Sequence, residues 1–160
     1  MATTYEPIAT LTFNGTTSTG TFSSIPATFT DLRLVWIGTS ASSQALAVQY
    51  NADTGTNYSQ TIVQGNGSSA TSFRNTSLNR IIINSSDTPI STASLDIFSY
   101  AGSTYKTGLR TESRDENGSG VVNRGVALWQ NTAAITSLTL FGFSGVNLTG
   151  SATLYGILKA

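Results

Sequence analysis

The chain has no cysteine and no histidine, one methionine and three prolines in 160 residues, and only 10% of it is charged. Without cysteine there is no disulfide framework and no thiolate nucleophile. Without histidine the commonest metal ligand and the Ser-His-Asp hydrolase arrangement are also excluded. Lys+Arg and Asp+Glu are both 8. With no basic cluster to release phosphate counterions, nucleic acid is not an expected partner. No run approaches the roughly eighteen apolar residues of a membrane-spanning helix. The opening MATTYEPIATLTF lacks a basic segment followed by a long apolar stretch, so neither signal peptide nor membrane contact is expected. No cofactor is implied, and the length suits a single domain over 1–160 that buries roughly two-thirds of its extended surface.

What is present is Ser, Thr and 15 Gly, with Val, Ile, Tyr, Phe and Thr recurring in short alternating runs. That is the strand-and-turn signature, and no helical period longer than one turn competes with it. The chain reads as all-β. Strands are expected at residues 5–13, 30–37, 45–50, 58–64, 79–84, 92–99, 104–112, 120–130, 134–141 and 152–158. Side chains two apart share a strand face. Leu32, Leu34 and Trp36, Leu46, Val48 and Tyr50, Leu95 and Ile97, and Val122, Val126 and Leu128 are therefore expected to meet in one core. Leu34–Ile37 and Arg80–Ile83 are apolar on both sides, which predicts strands covered twice, the second cover coming from another subunit. Turn signals at 14–15, 53–55, 66–67, 85–89, 101–103 and 117–120 separate the runs. The pattern suits a two-sheet antiparallel sandwich or a closed barrel, both of which leave few unpaired edges.

Between the runs ending at Tyr50 and beginning at Tyr58 lies the corner NADTGTN, residues 51–57. Three readings compete for it. Asp53, Thr54 and Asn57 carry oxygen atoms for a hard cation, but D-T-G-T-N lacks the register and distal glutamate of a calcium loop, and no metal is expected. Asp53 and Asn57 can instead cap their own turn while Gly55 takes a positive φ. In the third reading Asn57 and Tyr58 face outward and touch a sugar or a neighbouring protein.

The densest charge is RTESRDENGSG, residues 110–120, holding Arg110, Glu112, Arg114, Asp115 and Glu116. Its plain reading is a solvated hairpin tip. Its functional reading is that Arg110, Glu112 and Arg114, on one strand face, pair with another chain through orientation-fixing Arg–carboxylate contacts. Asp115 and Glu116, adjacent in a tip, lack the fixed separation and partly buried setting of a catalytic pair, so no catalytic residue is expected. Trp36 and Trp129 are anchors for a core or an interface. Trp129, on the strand face opposite Val126 and Leu128, is the expected interface anchor. Tyr50, Tyr58, Tyr100 and Tyr105 are the aromatic residues on which a carbohydrate-binding surface would draw.

Five segments together carry a family likeness: YEPIAT near the N-terminus, SSIPATFTDLRLV (Ser23–Val35), NADTGTNYS (Asn51–Ser59), NGSSA (Asn66–Ala70) and SATLYGILKA (Ser151–Ala160). The chain resembles small virion proteins of tailed bacteriophages, in which an N-G-D-T-G-x-N-Y-S corner follows an aromatic-ended strand and the chain closes on L-Y-G-I. It departs at Ala52, where that corner has Gly, implying that the position tolerates a side chain. The resemblance spans nearly the whole sequence, but its motifs are structural corners. It implies a jelly-roll-like sandwich, a homotrimer, a setting in the virion after synthesis in the host cytoplasm, and no enzymatic activity. Its expected role is capsid decoration, or cementing, with the major capsid protein or another virion protein as partner. The alternative is a receptor- or carbohydrate-binding module of a head or tail fibre. Strand-like sequence within five residues of Met1 favours a free-standing module over a fibre tip.

Overall fold

The structure, a computed structural model, describes residues 4–84 and 89–158. Twelve strands run β1 (Tyr5–Asn14), β2 (Thr19–Phe22), β3 (Asp31–Ser40), β4 (Leu46–Tyr50), β5 (Tyr58–Gly65), β6 (Ala70–Leu78), β7 (Ile81–Asn84), β8 (Ser91–Ile97), β9 (Lys106–Asp115), β10 (Gly120–Trp129), β11 (Leu138–Gly142) and β12 (Leu148–Ile157). Among the described residues the one helical element is a 3-10 turn at Phe143–Gly145.

The strands form two antiparallel sheets of unequal width. The larger has the order β1-β12-β3-β8-β9-β10-β5-β6 and the smaller β2-β11-β4-β7. β2 packs against β1, and β7 against β8 and β9, so the small sheet faces about half of the large one. Between them the alternating residues interdigitate. Leu32, Leu34 and Trp36 of β3, Leu95 and Ile97 of β8 and Leu154 of β12 meet Leu46, Val48 and Tyr50 of β4, Ile81 and Ile83 of β7 and Leu138 and Leu140 of β11. Burying each such side chain contributes about 1.5–3 kcal/mol before the entropy of ordering is counted.

Past β8 the large sheet continues as two hairpins, β9–β10 and β5–β6, joined through the β10·β5 pairing and only partly covered by the small sheet through β7. Here the structure departs from the sequence expectations. β6 was not expected, because as an edge strand exposed along nearly its whole length it has no alternation to read. β2 is four residues with one buried apolar side chain, too short for a periodic signal. β9 runs on through the charged stretch to Asp115. β12 begins four residues earlier than expected, at Leu148. It passes through Gly150 at φ +139, where a Cβ would lie 2.3 Å from the Ile37 carbonyl oxygen, so the glycine marks close strand packing and not a turn. Residues 85–88 of the expected 85–89 turn, and residues 159–160 of the C-terminal motif, lie outside the described residues.

The largest correction concerns β10. Its buried face is Asn123, Gly125, Ala127 and Trp129, while Val122 and Val126 are exposed and Leu128 only partly covered. The more apolar side of this strand points outward, opposite to expectation.

Candidate functional site

Both constellations singled out in the sequence fall on the extended half of the large sheet, where strand ends and hairpins converge. The first is the corner between β4 and β5. The Asp53 N–H donates to the Tyr50 carbonyl at 2.9 Å, closing a four-residue turn in which Asn51 (φ 50) and Ala52 (φ 54) are both left-handed. Two successive left-handed residues make a primed turn, used here to pass from the small sheet to the large one and not to close a hairpin. The Asp53 carboxylate then accepts hydrogen bonds from the Gly55 N–H (2.8 Å), the Asn57 side-chain amide (3.0 Å) and the Trp129 indole N–H (2.7 Å). The Tyr58 hydroxyl accepts from the Tyr50 N–H and donates to the Asp53 carbonyl, both at 3.1 Å. The Asn51 amide donates to the Ala134 carbonyl at 2.8 Å, and its oxygen accepts from the Thr136 and Ser137 N–H groups at 2.9 and 3.1 Å. The corner thus ties the ends of β4, β5 and β10 to the loop leading into β11.

These are the bonds of a self-capped turn. The positive φ falls at Asn51 and Ala52 and not at Gly55. Gly55 is instead constrained by space, since a Cβ there would stand 2.8 Å from Asn57 Nδ2 and 3.0 Å from Asp53 Oδ1. Tyr58 is 0% exposed, which corrects its reading as a recognition residue, and the Asn57 amide is committed to Asp53. Trp129, 1% exposed and stacked on Tyr58 with ring centroids 6.2 Å apart, is a core residue. Its expected role as an interface anchor is corrected accordingly. The Asn57 hydrogen bond, with those from Trp129 and Gly55, holds the Asp53 carboxyl below the usual carboxylate range despite the opposing effect of burial. Burial pushes the Tyr50 and Tyr58 hydroxyls well above the ordinary phenol value.

The second constellation lies in β9. Arg110 and Glu112 point inward with 1% and 0% exposure. Arg110 Nη2 and Glu112 Oε2 are 2.5 Å apart, and Asn123, across the strand pair on β10, donates to the same oxygen at 2.7 Å. A charge buried to this degree is retained only when paired and hydrogen-bonded. The expectation that Arg110 and Glu112 reach another chain is therefore corrected: they are spent on each other where β9 passes near β7. Arg114, half-buried, comes within 3.8 Å of Glu116. A third inward cation, Lys106, donates to the carbonyls of Gly102 (2.7 Å), Thr104 (2.5 Å) and Thr132 (3.3 Å), and burial lowers its pKa.

With these groups turned inward, the largest exposed feature is the outward face of the eight-stranded sheet. Strand register gives three rows: Val35-Ser94-Thr111-Arg124-Val63, Ile37-Thr92-Ser113-Val122-Gly65 and Arg33-Asp96-Leu109-Val126-Thr61. Val35, Ile37, Val63, Val122 and Val126 are half of the large hydrophobic side chains that stay exposed among the described residues. Neutral hydroxyls fill the places between, as in the Thr92–Ser113 hydrogen bond of 2.9 Å, and Arg33 pairs with Asp96 at 3.3 Å. Sequence reasoning missed Arg124 and Arg74 on this face. The usable signal was the two-residue period of VVNRGVALW, once its more polar side is taken as the inner one. Of the four tyrosines offered as a sugar-binding surface, Tyr50, Tyr58 and Tyr100 are buried and only Tyr105 is exposed. Among the described residues no group of three or more Asp or Glu is placed to hold a metal ion. No protein-family model, curated protein or solved structure matches the chain.

Three outcomes follow from this geometry. Ala52→Gly, which relieves a left-handed alanine, is expected to stabilise the fold by about 1 kcal/mol, read as a Tm rise of about 2–4 °C. Because the folded Asp53 carboxyl titrates below its unfolded value of about 3.9, its contribution is full above that pH and is lost as pH falls through the folded value. Acid titration of stability should show this loss in the native chain, and Asp53→Asn should lack that part of the slope. Arg110→Met alone leaves the buried Glu112 carboxylate without its guanidinium counter-charge and is expected to cost about 3–5 kcal/mol in urea denaturation, part of it recovered when Glu112→Leu is added.

Proposed function

We propose that the chain is a structural protein of a tailed-phage virion, a homotrimeric capsid decoration module that works by non-catalytic protein–protein contact with the major capsid protein. The observation that carries this reading is the outward face of the large sheet. Eight strands at about 4.8 Å spacing and about ten residues at about 3.3 Å give a face of about 1,300 Å². A specific interface needs roughly 800 Å² per partner. A broad surface of valine, isoleucine and threonine with few charges between them suits adhesion.

The topology supports the jelly-roll part of the resemblance. With β5, β6, β9 and β10 set aside, β1 pairs β12, β2 pairs β11, β3 pairs β8 and β4 pairs β7. That is the pairing of one long antiparallel hairpin rolled into two sheets. The fibre alternative is less well supported, because a glycan platform needs exposed rings and three of the four tyrosines are internal. Phage particles depleted of this protein are expected to rupture or release DNA at a lower temperature and to recover when purified protein is added back. Particles with unchanged thermal stability, and no binding on add-back, would contradict the proposal.

A further inference from the structure

The outward face carries unbalanced charge where the large sheet extends beyond the small one. Arg124 of β10 and Arg74 of β6 lie on this side, with Val63 of β5 between their strands. Arg74 donates to the Thr61 hydroxyl at 3.1 Å, and neither arginine has a carboxylate partner among the described residues. The outward positions of β9, β10, β5 and β6 hold no carboxylate until the β9–β10 tip. There Asp115 borders an open hollow of about 670 Å³ lined also by Arg114, Thr92, Ser113 and Val122, with the exposed Glu116 next along the tip, 3.8 Å from Arg114. Asp115 pairs in register with Gly120, four residues along β10 from Arg124. That is about 13 Å along the strands, too far for the chain's own acidic tip to neutralise its own basic strip.

Complementary patches that cannot meet within one chain can meet between copies. We infer that a second copy of this chain occupies the β9-β10-β5-β6 end of the face, leaving the β1-β12-β3-β8 end to the capsid. The Asp115–Glu116 tip of one subunit docks on the Arg74–Arg124 strip of the next, and the exposed apolar side chains beside each patch, Ile90 and Val122 at the tip, Val63 and Val126 at the strip, close against one another. The contact is heterologous, joining two different patches, and propagates in one rotational sense; a rotation of about 120° per copy closes it as a trimeric ring, and any rotation that does not close leaves an open filament. This inference rests on the homotrimeric reading above and assigns its contact. Opposite charges in such a contact set register, and like charges juxtaposed in their place oppose association.

The test is sedimentation and light scattering on the purified full chain. Arg124→Glu, and separately Asp115→Arg with Glu116→Arg, are each expected to weaken self-association about tenfold or more, with circular dichroism unchanged because all three positions are on the surface. Raising salt to about 0.5 M should weaken the unaltered chain in the same direction. Combining the reversals in one chain should restore association. Reversals that leave association unchanged, a combined variant that stays dissociated, or an unaltered chain that is monomeric at all concentrations would overturn the contact. Binding to depleted particles is read separately by co-sedimentation, so failure of this contact and failure of the virion reading are distinct results.

Discussion

The carboxylate of Asp53 is the point on which the extended half of the molecule depends. It takes three donors at once, from its own turn at Gly55, from Asn57 and from the Trp129 indole at the end of β10. Without it a buried indole N–H would be left unsatisfied, costing about 1–3 kcal/mol, and the end of β10, still paired with β5 through Trp129 and Tyr58, would lose its side-chain bond to the turn. β10 is the strand through which the two hairpins that widen the large sheet are joined. A fixed corner is therefore the condition for a broad outward face, and a local hydrogen-bond arrangement becomes a property of the surface.

The distribution of polar groups follows from the unequal sheets. Where the small sheet covers the large one, the interior is aliphatic. Towards its uncovered half the inner face receives Arg110, Glu112, Asn123, Gln60 and Lys106, all buried and all hydrogen-bonded. A chain with so few charges that commits several of them to its interior has little left with which to solvate its exterior. Threonine and serine supply that solvation on the outward face, and valine and isoleucine between them leave it adhesive. The same shortage makes the remaining exposed charges, the arginine strip and the acidic tip, conspicuous against a neutral ground.

The all-β class and most strand positions were legible because alternation is a strong signal wherever one face is covered and the other is wet. β3, β4 and β8 met that condition, and their inner residues were identified correctly. β6 did not, being wet on both sides, and β10 inverted it, with its more apolar side outward. The site residues failed for a related reason. In sequence, a run of charges such as RTESRD looks solvated, and nothing local reveals that strand alternation turns Arg110 and Glu112 inward to pair with each other. The capping of Asp53 and Asn57 was legible from residue type. The Trp129 bond that gives Asp53 its wider importance joins residues 76 positions apart and leaves no local trace.

The central claim is that the polar corner is spent on the fold and that the outward face of the large sheet makes the contacts. Hydroxyl-radical footprinting of the protein, free and bound to particles, tests it most directly. The account predicts that Val35 and Ile37, on the part of the face away from the contact between copies, lose reactivity on assembly, while residues 51–57 react equally in both states. Protection confined to residues 51–57 or to the small sheet, with Val35 and Ile37 equally reactive in both states, would contradict it.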